Sequence, residues 1–188
     1  NSFAHGTDEE TGGLTHLGRE AVRKMNDLGI LVDVSHLNEE GFWEVIKINK
    51  KPTIASHSNA RALFNHPRNL TDDQIKAIAD SGGVIGAVCY FSKVDPDNPQ
   101  KIRTGDDETE TIHDVVQHIE YMVNLVGYDH VALGFDFNMY LGDFGVKGLE
   151  SADKIPDLIK LLLERGHSEE NVRKIAGENW LRVLKEVL

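Results

Sequence analysis

Ile30-Leu31-Val32-Asp33-Val34-Ser35-His36 and Pro52-Thr53-Ile54-Ala55-Ser56-His57 are two short apolar runs that each stop on a histidine. Between them, residues 38–51 have the length of one helix. The pattern predicts a strand, helix, strand unit, and parallel strands joined by a helical crossover end on the same side of their sheet. The imidazoles of His36 and His57 should therefore emerge side by side. Two histidines at the carboxyl ends of adjacent parallel strands are placed like metal ligands on a (β/α) barrel.

The same alternation extends outward. Leu17, Ala21, Val22, Met25 and Leu28 recur at helical spacing over 15–28, with Gly29 to close the helix. Asn38 can cap the helix after the first strand, with Phe42, Trp43, Val45 and Ile46 as its apolar residues and Glu39 and Glu40 in the first turn. A long loop over 58–70 carries Arg61, His66, Arg68 and Asn69, and loops of that length between strand and helix tend to be functional. Then come a helix over 72–80, an apolar strand over 84–90, a charged insertion over 92–110 and an amphipathic helix over 111–126. A fourth strand over 130–136 ends on Asp136; a glycine-rich loop over 137–154 and helices over 156–164 and 169–187 complete the chain. Four strands alternating with helices argue α/β with a parallel sheet. Four strands do not close an eight-stranded barrel, so the sheet is either open or half of a barrel.

Composition narrows the partners. At 188 residues the chain is long enough for a core, and no apolar run reaches the length of a membrane span. Asp and Glu outnumber Lys and Arg by 31 to 20, and the net charge of -11 opposes binding to nucleic acid or anionic lipid. The single cysteine, Cys89, sits in an apolar run and reads as a buried hydrophobe; an acidic chain without disulfides suggests the cytoplasm. Residues 1–13 are polar loop material with no initiator Met, which points to a preceding portion of the polypeptide. The expected organisation is one unit over 1–188.

His36, His57 and Asp136 close three of the four strands, and the remaining strand ends near Tyr90. Imidazole nitrogens at this edge suit zinc, and a nearby carboxylate suits proton transfer from water. The set is one or two ligands short of a complete zinc site. Each residue also has a plain structural reading: a histidine after a strand is more often a loop anchor than a ligand, Asp136 can cap a turn, and Arg61 and Arg68 can be solvated loop charges. Asp33 fits either a barrel-lining acid or a helix-facing ion pair. The remaining histidines, at 5, 16, 66, 113, 118, 130 and 167, fall on predicted loops or helix surfaces and read as bystanders.

Gly13-Leu-Thr-His-Leu-Gly18, Leu28-Gly-Ile-Leu-Val-Asp-Val-Ser-His36, Ile54-Ala-Ser-His57-Ser-Asn-Ala60, Arg68-Asn69 and Leu133-Gly-Phe-Asp136-Phe137 together resemble the membrane (renal) dipeptidase family of zinc peptidases. Gly148-Leu-Glu and Asn179-Trp-Leu-Arg182 fit that family's C-terminal region. The resemblance implies the C-terminal half of a (β/α)8 barrel that in complete form holds two zinc ions and cleaves dipeptides, often with a C-terminal D-residue. It implies that His36 and His57 ligate one zinc, that Asp136 holds the bridging water and shuttles its proton, and that Arg68 grips the substrate carboxylate, with Tyr90 lining the site. A metal-bridged hydroxide would attack the scissile carbonyl. The family's His-x-Asp motif, its bridging glutamate and a further histidine have no counterpart in the chain, and Asn138 stands where a second aspartate is common. These residues alone are therefore expected to be inactive, with the upstream half of the barrel as obligate partner and a homodimer as the default assembly. Two other readings stay open: another metal-dependent hydrolase on the same barrel, acting on a lactone, phosphoester or amide, and an inactive barrel serving as a binding or assembly module.

Overall fold

The computed structural model of the chain describes residues 1–9, 11–94, 110–137 and 145–188. Most of the insertion predicted over 92–110, and Asn138, lie outside them. Helix α1 spans His16–Leu28, capped by the Thr15 side chain at one end and by Gly29, at φ 68°, at the other. Strand β1 (Val32–Asp33) leads to α2 (Glu39–Ile48), whose Gly41 N–H is capped by Asn38. Strand β2 (Thr53–Ala55) and the long loop lead to α3 (Asp72–Asp80), which opens on a Thr71–Gln74 capping box. Next come β3 (Val84–Ala87), α4 (Ile112–Val126), β4 (Val131–Leu133) and α5 (Ile155–Glu164). The chain closes with α6 (Glu169–Arg173) and α7 (Asn179–Val187).

The four strands form one parallel sheet in the order β1-β2-β3-β4, with register Val32↔Thr53, Ile54↔Val84 and Ile85↔Val131. Chain order equal to sheet order, with helices between, is the arrangement of consecutive units of a (β/α) barrel. The main core lies between sheet and helices, where Phe42, Ile75, Ile78, Ile85, Ile119, Met122, Leu158 and Ile175 are almost fully buried. Trp43 departs from the predicted apolar face: it is 39% exposed and meets Phe42 edge-on.

Two sequence expectations change in extent. The strands are shorter than their apolar runs, because pairing stops where the chain turns to present its strand-end residue; β1 keeps two paired residues before His36 adopts φ 70°. The helix expected over 169–187 is interrupted by a wide turn at Lys174–Glu178, with Gly177 out of helical geometry. The break lets α7 reach the starts of β3 and β4: Asn179 Nδ2 donates to the Tyr128 and Val131 carbonyls, and Arg182 donates to those of Gly82 and Asp129. Val183 and Val187 then join Ile54, Val84 and Ala132 in a second, smaller core. Helix α7 thus anchors the N-terminal ends of the strands, opposite the ends that carry the histidines.

Candidate metal centre

His36 Nε2 and His57 Nε2 stand 2.8 Å apart at the carboxyl ends of β1 and β2, with ring centroids at 4.9 Å. Asp136 brings Oδ2 to 3.8 Å from His57 Nε2. Three non-glycine residues among those described have positive φ, and two of them are His36 (70°) and Asp136 (55°). Such backbone costs about 1–3 kcal/mol per residue and persists where the surroundings over-determine it, often at functional sites. The sheet itself makes room. A Cβ on Gly86 or Gly134 would come within 2.2 Å or 1.8 Å of the Ser56 carbonyl oxygen, so the glycines let β2 curl across its neighbours just before His57.

Hydrogen-bond polarity fixes what the two facing nitrogens carry. Arg68 Nη2, which can only donate, lies 3.0 Å from His36 Nε2, so that nitrogen presents its lone pair. At His57 the ring's other nitrogen, Nδ1, lies 2.7 Å from Ser56 Oγ, whose proton is given to Asp33 Oδ2. Nδ1 is then the donor and Nε2 again holds a lone pair. Burial, then the charge of Arg68 and the neighbouring ring, lower the His36 pKa; burial chiefly, with Arg68 adding, lowers that of His57. Two neutral imidazoles bring acceptor nitrogens to 2.8 Å from each other beside a carboxylate, a donor set that fits a divalent cation. Nitrogens each about 2.0–2.1 Å from one tetrahedral zinc would stand about 3.3 Å apart, so a modest spreading of the rings suffices. Among the described residues no third ligand completes a cluster.

Arg68 is partly buried, its Nη1 has no hydrogen-bond partner, and no carboxylate among the described residues comes within ion-pair distance of it. Burial pushes its pKa down, as expected of a cation lacking a counter-charge. The loop holds it firmly: His66 Nδ1 accepts the Arg68 N–H at 3.1 Å and its ring stacks on Phe91 at 4.1 Å. Arg61 is a scaffold of the same loop, donating to the Asn69 and Pro67 carbonyls and pairing with Glu39. Tyr90 lies three residues beyond β3, and its carbonyl accepts Asn59 Nδ2.

Several residues read as bystanders or left ambiguous have definite places. Asp33 lines the site edge and is bound to Ser35 and Ser56. His118, expected on a helix surface, is fully buried: Nδ1 accepts the Ala60 N–H at 3.1 Å and Nε2 donates to the Ser92 carbonyl at 3.0 Å. Its burial pushes the pKa down to about 4. The repeated Ser-His at 35–36 and 56–57 was the available signal for the serines; His118 left none in a helix whose apolar face was already complete.

The model of the membrane dipeptidase family, peptidase family M19, matches residues 1–188. The uncharacterized protein in the pqqA 5′ region of Klebsiella pneumoniae is 40% identical over 192 residues, a match covering 100% of this chain and 66% of that one. Dipeptidase tcpJ of Claviceps purpurea is 37% identical over 93% of this chain and 39% of its own length. Among solved structures, the metallo peptidase from Rhodobacter sphaeroides, liganded with a phosphinate mimic of the dipeptide L-Ala-D-Ala, superposes with a TM-score of 0.86 at 32% identity. That match covers all of this chain and 53% of the other, so the chain spans between about two fifths and two thirds of these relatives.

Proposed function

The chain belongs to the membrane dipeptidase family of metallopeptidases, and from that premise we propose that it supplies one face of a zinc-dependent dipeptidase site. The observation that carries the reading is the approach of His36 Nε2 and His57 Nε2 to 2.8 Å, with the Asp136 carboxylate next to them. His36 and His57 would hold the ion. Zinc held there would supply Lewis acidity and lower the pKa of a water bound to it.

The chain's own groups account for the rest. Asp136 Oδ2, 3.8 Å from His57 Nε2, would take a proton from the attacking water and return it to the leaving amine. Arg68 offers an unpaired buried Nη1 to a carboxylate, and its planar fork matches that group better than an ammonium does. An anion-binding guanidinium beside a hydrolytic centre favours a small substrate with a free carboxylate end, as a dipeptide has. The metallo peptidase bound to an L-Ala-D-Ala mimic is the nearest support for a D-residue on the C-terminal side.

Assay of the full-length protein against alanine dipeptides of both stereochemistries and a lactone panel, with and without chelator, tests the proposal. Dipeptide turnover lost to chelator and restored by zinc is the expected result. Turnover of lactones with none of dipeptides would assign the barrel to a different hydrolase.

A further inference from the structure

Asp33 and Ser56 join the ends of β1 and β2 by a chain of hydrogen bonds that terminates on His57. Asp33 Oδ1 accepts the N–H groups of Ser35 and Ser56, both at 3.0 Å, and Oδ2 accepts the Ser56 hydroxyl. Three donors converge on one carboxylate, and the hydroxyl has a single proton, which goes to it. Ser56 Oγ can therefore only accept from His57 Nδ1, 2.7 Å away. A second contact holds the same ring's backbone, since the His57 N–H donates to Ser35 Oγ at 3.1 Å. The polarity runs one way, from imidazole through hydroxyl to carboxylate.

We propose that Asp33 and Ser56 are positioning residues that lock His57 in its Nδ1–H tautomer, so that Nε2 is permanently available to the metal. This rests on the zinc reading above and adds to it two residues that touch neither metal nor substrate. A ligand histidine gains from such an outer partner twice: the ring cannot rotate, and the carboxylate makes the coordinating nitrogen more basic. The serine here acts as a spacer, because the carboxylate belongs to the neighbouring strand. The arrangement also makes a directional claim. In Asp33→Asn the amide would donate to Ser56 Oγ, the hydroxyl would turn to donate to Nδ1, and the ring proton would shift to Nε2, where it blocks the metal. Replacing one carboxylate oxygen of Asp33, which supplies no metal ligand, by an amide nitrogen thus reverses the tautomer, as substituting the orienting acid does in serine protease triads.

The test uses metal-free full-length protein, with the His57 tautomer read by long-range 1H–15N correlation and zinc affinity read by competition with a chromophoric chelator. Wild type should show Nδ1–H and Asp33→Asn should show Nε2–H. Ser56→Ala should weaken zinc binding by about 10–100-fold, Asp33→Asn by at least as much, and Ser56→Thr, which keeps the hydroxyl, by no more than about threefold. Should Asp33→Asn fail to fold, Ser56→Ala with Ser56→Thr rescue still decides. Folded variants with the wild-type tautomer and wild-type affinity would overturn the proposal. Wild type with the Nδ1–H tautomer but no zinc binding would refute the metal reading and leave the hydrogen-bond relay standing.

Discussion

Arg68 is a guanidinium held out of water without an anion, and that imbalance predicts how substitution will act. A charge-assisted hydrogen bond contributes about 1.5–3 kcal/mol. Arg68→Met in the full-length enzyme should therefore cut kcat/KM for a dipeptide by about 10–150-fold, mostly through KM. Zinc content should stay unchanged, because Arg68 reaches the metal pair by one donor nitrogen and supplies no ligand atom. Equal losses in zinc content and kcat would place Arg68 among the metal's supports instead. The strand-end positions of His36, His57 and Asp136 were legible because a parallel strand's last residue is set by chain direction alone. Ser56 was not, and Asp33 was legible only as one of two alternatives. The alternation that assigns side chains to sheet faces holds within a ladder, and β2 stops pairing at Ala55, one residue before Ser56.

The four strands place the site, and α4 with the loops packed on it keeps them in register. His118 of α4 ties the 58–70 loop to the segment after β3 through one accepted and one donated hydrogen bond. The folded state holds it neutral with a pKa of about 4, whereas the unfolded chain takes up a proton near the ordinary 6.5. Stability from this group is therefore full above pH 6.5, falls as pH drops towards 4, and changes no further below that. The loss amounts to something on the order of 3 kcal/mol. Urea midpoints measured between pH 7.5 and 4 should follow that slope, and His118→Gln should flatten it. An equal slope in the variant would assign the acid sensitivity to other groups. Glycine at 134 sets a second limit. Gly134→Ala puts a methyl 1.8 Å from the Ser56 carbonyl and 2.9 Å from Gly86 Cα, both backbone atoms that cannot rotate away. The expected outcome is a loss of more than about 3 kcal/mol or a protein that does not fold, measured by denaturant melts. Element types and order were legible from periodicity and caps; the break between α6 and α7 was not, because a lone glycine in an apolar-periodic helix is usually tolerated.

At the scale of the whole molecule, the sheet and the site have a common deficit. Among the described residues β1 and β4 each pair on one side only, and the metal pair lacks a third protein ligand. A structural or catalytic zinc takes three or four protein ligands, and a (β/α)8 barrel takes eight strands. Both counts lead to the same proposal: the remaining ligands come on strands that pair with the free edges of β1 and β4. Residues 1–188 produced as an isolated polypeptide should thus bind zinc weakly and hydrolyse no dipeptide, while the same residues within the full-length protein turn it over. The comparison is made at equal zinc and equal protein concentration, with circular dichroism to establish that the isolated piece is folded. Adding the complementary segment in trans should restore activity if pairing at the sheet edges is what completes the site. Efficient zinc-dependent turnover by the isolated 188 residues would mean that His36 and His57 hold the metal with Asp136 as proton carrier, fewer protein ligands than zinc ordinarily takes.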